Sequence, residues 1–439
     1  MDLTSAGQQL VDRIRDRTAR IGIVGLGYVG LPTAVAYAQA GFTVVGIDND
    51  AGRCEAVSRG RSYIEDLPST ELQQVLDQGS LSAVTDLRHA GDLDVVDICV
   101  HTPLGETREP DTSAIEAVGE ALSECQRPGQ LVVLTSTSYP GTTEEVLRPL
   151  LERSGLVIGE DVFLAFAPER IDPGNRHFTL RTTPKVVGGV DCASTEIATL
   201  ALSTIVDTIV PVTDATTAEM VKVLENTFRM VNIGFANEVA MICRRLGVDV
   251  WEVIESAATK PYGFMPFYPG PGVGGHCIPV DPSYLEWKMR NLEFRTRFID
   301  LGNDVNRAMP DYVVQRATEI LNAVERSVRG SRLLVIGVAY KPNVSDVRES
   351  PGVEVISRLL QRGANVRYVD PHVPSIVLQG GETVPRVDLS AAELEASDLV
   401  VITTHHEGID WELVSERAPL VLDTRGVRTG RGRSQWHTL

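Results

Sequence analysis

The chain has 439 residues, an apolar fraction of 43% and a formal net charge of −18. That length calls for two or three domains, and the composition is that of a folded globular protein rather than a disordered one. The acidic balance argues against nucleic acid or acidic membranes as partners, which need a basic face, and apolar runs such as 95–100 are too short to span a bilayer.

Residues 1–20 are charged throughout, lack the apolar stretch of a secretory signal, and read as a polar helix or tail. Residues 20–24 form an apolar strand. Gly25-Leu26-Gly27-Tyr28-Val29-Gly30 follows, and an alanine-rich helix runs to Gly41, a natural helix terminator. Residues 43–47 form a second strand that ends in Asp48. Further strands lead into His101-Thr102-Pro103 and Thr135-Ser136-Thr137. Strands alternating with helices predict a parallel, doubly wound sheet. Residues 214–246 contain no proline, and Met220, Val223, Leu224, Phe228, Val231 and Phe235 recur at helical spacing. Thr213, Asp214 or Thr216 can cap this helix and Gly247 can end it. A helix of this length, about 45 Å, suits a bridge between domains or a subunit interface. Residues 332–370 repeat the opening pattern: strand 333–336, helix 353–362, Gly363, strand 366–369 and Asp370, with Gly337-Val338-Ala339-Tyr340 replacing the glycine fingerprint. Strands at 398–404 and 419–422 extend this second unit. The predicted fold is α/β: two Rossmann-like doubly wound domains joined by a long central helix and a small helical domain, with divisions at 1–212, 213–310 and 311–439.

Five constellations carry chemistry. In the first, Gly25 allows a tight turn, Gly27 lets amides approach a pyrophosphate, and Gly30 lets helix and strand pack closely. The phosphate sits on the helix N-terminus, and Asp48 binds the adenosine ribose and repels a 2′-phosphate, which favours NAD over NADP. The bland reading is a glycine turn that binds nothing. In the second, Pro269 to Gly275 lead into His276-Cys277-Ile278-Pro279-Val280-Asp281. So much glycine and proline makes burial of Cys277 in a regular core element improbable, and the other five cysteines (Cys54, Cys99, Cys125, Cys192, Cys243) have no such surroundings. The bland alternative is a structural turn with an incidental thiol. No C-x-x-C pair or regular spacing marks a disulfide framework or a metal site, so no metal is expected and a reducing cytoplasm fits.

The third constellation is Lys222, Asn226 and Arg229 on one face of the long helix, set against a solvated polar stripe as the bland reading. The fourth is Ala167-Pro168-Glu169-Arg170 after the apolar run 162–166, where Glu169 suits a site or a helix cap equally. The fifth is Tyr340-Lys341 with Arg348 and Arg425, positive charge at the carboxyl ends of strands and suited to a diphosphate, against ordinary surface cations.

Together these motifs resemble the UDP-sugar 6-dehydrogenase family from Arg20 to about Arg428: the glycine fingerprint, Thr102-Pro103, Ser136-Thr137 with Pro140-Gly141-Thr142-Thr143, Pro168-Glu169-Arg170, Lys222 to Asn226, Gly274-Gly275-His276-Cys277 with Asp281, and Tyr340-Lys341 with Arg348-Glu349-Ser350. His276 and Val280 resemble the branch acting on UDP-N-acetylhexosamines, UDP-N-acetylglucosamine above all, rather than the UDP-glucose branch. The resemblance implies an NAD domain, a helical dimerisation domain and a nucleotide-sugar domain. It implies two successive oxidations of a primary alcohol to a carboxylate through a thiohemiacetal and thioester on Cys277. Lys222 and Asn226 then stabilise oxyanions, Asp281 assists proton transfer through a water shared with Thr137, and Glu169 activates the hydrolytic water. Cofactor contacts are expected from Gly25, Gly27, Tyr28, Val29, Gly30, Asp48, Arg53, Thr102 and Thr137. Substrate contacts are expected from Glu169, Arg170, Lys222, Asn226, Arg229, Lys260, Tyr268, Gly274, His276, Tyr340, Lys341, Arg348 and Arg425. The expected assembly is a homodimer in the cytoplasm, with no nucleic-acid or membrane partner. Competing readings are UDP-glucose or dTDP-glucose as substrate, a simple alcohol dehydrogenase of the 6-phosphogluconate type, and a silent NAD-binding protein.

Overall fold

The computed structural model describes residues 3–105, 108–172, 174–175, 177–275, 278–378, 380–427 and 434–439. It divides into two compact units, one of residues 1–225 with 283–293 and one of residues 226–282 with 294–439.

The first unit is built on eight strands: β1 (Arg20–Val24), β2 (Thr43–Ile47), β3 (Leu81–Val84), β4 (Val95–Ile98), β5 (Gln130–Leu134), β6 (Val162–Phe166), β7 (Lys185–Gly189) and β8 (Ile209–Pro211). Their spatial order is β3-β2-β1-β4-β5-β6-β7-β8. Pairing is parallel except at β6 and β7. The strand order reverses between β1 and β4, which opens a crevice at their carboxyl ends where doubly wound sheets bind ligands. Strands β4, β5 and β6 are buried along their whole length, as a sheet covered by helices on both faces requires.

The expected polar N-terminus is an amphipathic helix, Ser5–Arg15, that buries Leu10, Val11 and Ile14 in the core of the sheet. Of the two forms expected, helix or tail, the helix is the one found, and it is held by packing of its apolar face.

The second unit holds β9 (Arg332–Ile336), β10 (Asn365–Val369), a hairpin of β11 (Ser375–Val377) and β12 (Thr383–Pro385), β13 (Leu399–Ile402), β14 (Leu420–Asp423) and β15 (Gln435–Thr438). The main sheet runs β10-β9-β13-β14-β15, all parallel, and reverses between β9 and β13. The helix expected at 353–362 spans Pro351–Gln361, because Ser350 caps it and Pro351 fits the first turn.

The long helix runs Ala215–Leu246. Of the three possible caps, Asp214 is the one used: its Oδ1 accepts from Thr217 N at 2.7 Å. Gly247 ends the helix at φ +72°. A second long helix, Arg297–Ala323, carries Pro310 in its interior and was not expected from the sequence.

Candidate active site

The glycine fingerprint meets its steric demands one residue at a time. A Cβ on Gly25 would lie 2.5 Å from the Cys99 carbonyl oxygen, and φ there is +93°. A Cβ on Gly30 would lie 1.9 Å from the Gly25 carbonyl oxygen. At Gly27 nothing lies within 4 Å of a Cβ position. Two glycines are therefore demanded by the fold, while the third faces open space at a helix N-terminus, where free amides and the dipole favour a pyrophosphate. The loop thus fits a dinucleotide. Asp48 is buried, its Oδ2 accepting from Leu26 N at 2.8 Å and from Arg53 at 3.3 Å. The Tyr28 hydroxyl donates to Asp66. Val29 is the residue before the helix Gly30–Gln39. Across the crevice, Thr102 Oγ1 donates to the Thr137 carbonyl at 2.6 Å, so the loops after β4 and β5 are knitted together.

Glu169 follows β6 and is no helix cap. Its Oε1 accepts from Arg170 N at 2.7 Å and Ile171 N at 2.8 Å, and its Oε2 accepts from Lys185 Nζ at 3.1 Å. Burial works to raise the carboxyl pKa, but Lys185 and the two amides outweigh it and hold the group below its ordinary value. Arg170 turns away from this pair to chelate Glu225 of the long helix, at 2.5 and 3.2 Å, and to donate to the Pro184 carbonyl.

On the long helix, Lys222 and Asn226 are one turn apart and both are buried, whereas Arg229 is exposed. Lys222 has no hydrogen bond or ion pair among the described residues. In the second unit, Asn226 Nδ2 donates to Asp281 Oδ2 at 2.5 Å, which places a donor and a carboxylate in contact. His276 and Cys277 lie outside the described residues.

The glycine-rich segment before them is explained by close packing within the second unit. A Cβ on Gly274 would lie 2.6 Å from the Glu349 carbonyl oxygen, and one on Gly275 would lie 2.8 Å from the Tyr340 ring. Gly275 N donates to the Arg348 carbonyl at 3.0 Å. Further back, Gly270 N donates to Asn237, which in turn donates to Asn306, each at 2.9 Å. These glycines are thus required by the loop carrying Tyr340, Lys341 and Arg348. Lys341 lies 5.8 Å from the centroid of the Tyr340 ring, and Arg348 chelates Asp346. Arg425, after β14, donates to the Thr403 carbonyl at 2.7 Å. Burial brings its pKa down to about 10, with Asp423 opposing, so it remains a cation at neutral pH. Tyr268 stacks on Trp251 at 5.7 Å, and Lys260 sits 5.0 Å over the Tyr262 ring. Both are exposed and join none of these clusters.

Several contributors escaped the sequence reading. Glu219, three residues before Lys222, accepts from Gly141 N at 2.5 Å, Thr143 N at 2.8 Å and Thr143 Oγ1 at 2.6 Å. It ties the Pro140–Thr143 motif to the long helix, and burial lifts its pKa to about 7. A charge spaced with Lys222 on a helix was the available signal. Lys185, the partner of Glu169, gave none, because it is an isolated residue in an ordinary strand pattern. Among the described residues no cluster of side chains suits a metal ion, and no helix is long and apolar enough to cross a membrane.

Three domains of one family match the chain in order. They are the NAD binding domain of the UDP-glucose/GDP-mannose dehydrogenase family over residues 19–205, its central domain over 216–308 and its UDP binding domain over 334–429. The chain is 34% identical to the UDP-N-acetyl-D-mannosamine dehydrogenase of Pyrococcus horikoshii, covering 93% of this chain and 96% of that protein. It is 36% identical to the UDP-N-acetyl-D-glucosamine 6-dehydrogenase of Pseudomonas aeruginosa, covering 81% and 83%. The solved structure of the Pyrococcus horikoshii UDP-D-ManNAc dehydrogenase superposes with a TM-score of 0.87 at 33% identity, covering 95% of this chain and 98% of that one. With a fingerprint loop shaped for a dinucleotide and cations at the strand ends of the second sheet, the chain belongs to the UDP-glucose/GDP-mannose dehydrogenase family and is an NAD-dependent oxidoreductase that acts on a CH–OH group of a nucleotide sugar.

Proposed function

We propose that the chain oxidises the primary alcohol of a UDP-N-acetylhexosamine, UDP-N-acetylglucosamine or UDP-N-acetylmannosamine, to the uronic acid through a thiohemiacetal and a thioester on Cys277. The observation that carries the covalent route is Lys222: only 9% exposed and without a partner among the described residues. A buried cation with no counter-charge among the described residues is costly unless an anion arrives during the reaction, and the oxyanion of a tetrahedral adduct is such an anion. Asn226 adds a donor on the same helix face, held by Asp281 at 2.5 Å. Bound NAD supplies the electron sink, taking up two electrons in each oxidation. Glu169, held ionised, takes a proton from the water that cleaves the thioester, and Lys341, Arg348 and Arg425 hold the diphosphate. Asp281 assists proton transfer, and Thr137 joins the catalytic set. Arg170, Arg229, Lys260, Tyr268, Gly274, His276 and Tyr340 complete the substrate contacts, and Arg53 flanks the adenosine ribose.

The acetamido preference rests on His276 and Val280 and on relatives whose names specify N-acetylated sugars. A panel of UDP-N-acetylglucosamine, UDP-N-acetylmannosamine, UDP-glucose and dTDP-glucose, read by NADH formation, tests it. The expected result is two NADH per acetamido sugar. One NADH per sugar contradicts the covalent route, and preference for UDP-glucose or dTDP-glucose contradicts the specificity.

The working form in this reading is a homodimer in the cytoplasm, divided into functional parts at 1–212, 213–310 and 311–439. The long helix exposes Leu224, Phe228, Phe235 and Leu246 at 53%, 47%, 62% and 71%, a row of apolar residues suited to a partner subunit. The five described cysteines are unbridged, which fits a reducing compartment.

A further inference from the structure

Beneath the Glu169 turn lies a buried ionic chain that the reaction outlined above does not use. Lys185 opens β7, is 6% exposed, and places Nζ 3.1 Å from Glu169 Oε2. Behind it, Asp97 on β4 is 1% exposed and accepts from Thr135 Oγ1 at 2.6 Å. Among the described residues, Cys99 Sγ lies 3.5 Å from Asp97 Oδ1, Tyr37 feels the charge of Asp97, and Arg170 is occupied by Glu225. One cation thus faces two carboxylates. Burial drives the Asp97 carboxyl above its ordinary value despite Lys185 and Thr135, whereas the Glu169 carboxyl is held below its own. Burial thus disfavours a second negative charge beside Lys185, and the ion pair of the cluster is the one between Lys185 and Glu169. Burial alone would lower the Lys185 pKa, but its two carboxylate neighbours keep it raised.

We propose that Lys185 is the positioning residue of the hydrolytic step: its ammonium, seated on Glu169 Oε2 and screened from water, fixes that carboxylate in one orientation and keeps it ionised. The proposal rests on Glu169 being the group that activates water. In that step the water oxygen bonds to the acyl carbon as the carbon–sulfur bond breaks. Glu169 accepts one water proton, and the thiolate of Cys277 leaves and is reprotonated. The products are the uronic acid and the free thiol. The Glu169 oxygens already accept two amides and the ammonium, so the carboxylate cannot rotate. Removing Lys185 leaves a largely buried carboxyl with no counter-charge, which takes up a proton near neutral pH.

The test uses Lys185→Gln and Lys185→Arg, with hydrolysis followed by quenched flow after the thioester has formed and the pH has been jumped. In the parent, hydrolysis should be level at neutral pH and lose half its rate only below the ordinary glutamate value of 4.5. Lys185→Gln should keep its burst of NADH, hydrolyse about 10²-fold more slowly at pH 6, and recover to a plateau as pH rises. Lys185→Arg should stay within about five-fold of the parent, because a guanidinium also pairs with a carboxylate. Adding Glu169→Gln to Lys185→Gln should abolish the plateau. An unchanged profile in Lys185→Gln overturns the proposal, as does equal loss of oxidation and hydrolysis at every pH without rescue by arginine. If Lys185→Gln does not fold, the parent profile decides: a half-rate point below 4.5 supports the role and one near 6 overturns it. Glu169→Gln separates the two readings. Without a trapped adduct in that variant the assignment of Glu169 fails, whereas an adduct there with an unshifted Lys185→Gln profile removes Lys185 alone.

Discussion

The two sheets use the same turn and put it to different ends. In the first unit Gly25, at φ +93°, donates its N–H to the Ile47 carbonyl at 2.7 Å. In the second, Gly337, at φ +84°, donates to Val369 at 2.8 Å. An aspartate ends the neighbouring strand in both and accepts the amide after the glycine: Asp48 from Leu26 at 2.8 Å, Asp370 from Val338 at 2.7 Å. Even the third glycine recurs, since a Cβ on Gly352 would lie 2.9 Å from the Gly337 carbonyl oxygen. What differs is the segment between. In the first unit it is Leu26 to Val29, and the open face of Gly27 leads onto a helix N-terminus. In the second it runs from Val338 to Pro351, carries Tyr340, Lys341 and Arg348, and delivers a helix start already capped by Ser350. Asp370 is also engaged further, by His406 at 3.0 Å with both side chains fully buried. In the proposed reading the first frame would meet phosphate with backbone amides and the second with side-chain cations.

Exchanging the roles of the two aspartates should break this comparison most visibly. If Asp48 meets the ribose, as proposed, the parent should favour NAD over NADP by about 10³ in kcat/KM. Asp48→Asn should narrow that to about ten-fold, since a charged hydrogen bond and a charge repulsion are both lost. Equal kcat/KM for both cofactors in the parent removes Asp48 from the ribose. Asp370→Asn should leave cofactor preference alone and act on stability. Its oxygens accept from Val338, Ala339, His372 and Val373 as well as His406, and the amide nitrogen of asparagine cannot accept. A loss of about 3 kcal/mol is expected in denaturant unfolding. An unchanged midpoint refutes the structural role. The smallest effect should be on stability in Gly27→Ala: within about 0.5 kcal/mol of the parent, because the Cβ meets nothing, while NADH affinity falls about ten-fold. Loss of stability with intact affinity contradicts the assignment of that open space.

This comparison also marks what the residues alone disclosed. Gly25 and Gly30 were readable because a turn and a close approach of the backbone each demand glycine at fixed spacing. The long helix was readable from its period, and only its cap had to be chosen among three. Tyr340, Lys341 and Arg348 were readable as charge at a strand end, but the reason for Gly274 and Gly275 was not. Their need comes from the Tyr340 loop, some 65 positions along the chain. Lys185 and Asp97 stayed hidden for the same reason: they lie far apart in sequence and come under each other's electrostatic influence only through the order β4-β5-β6-β7 of the sheet. His406 meets Asp370 across two strand ends. Contacts that depend on sheet order leave no local pattern.

The most direct test of the covalent route is intact mass spectrometry of Glu169→Gln during turnover. If Cys277 carries the sugar and Glu169 serves only hydrolysis, the variant should release about two NADH per active site and then stall, with hydrolysis slowed by about 10² to 10⁴. Its mass should rise by that of the nucleotide sugar acyl group, and the increase should vanish when Cys277→Ala is added. A folded Glu169→Gln that turns over at the parent rate, or slows without an adduct, contradicts the account.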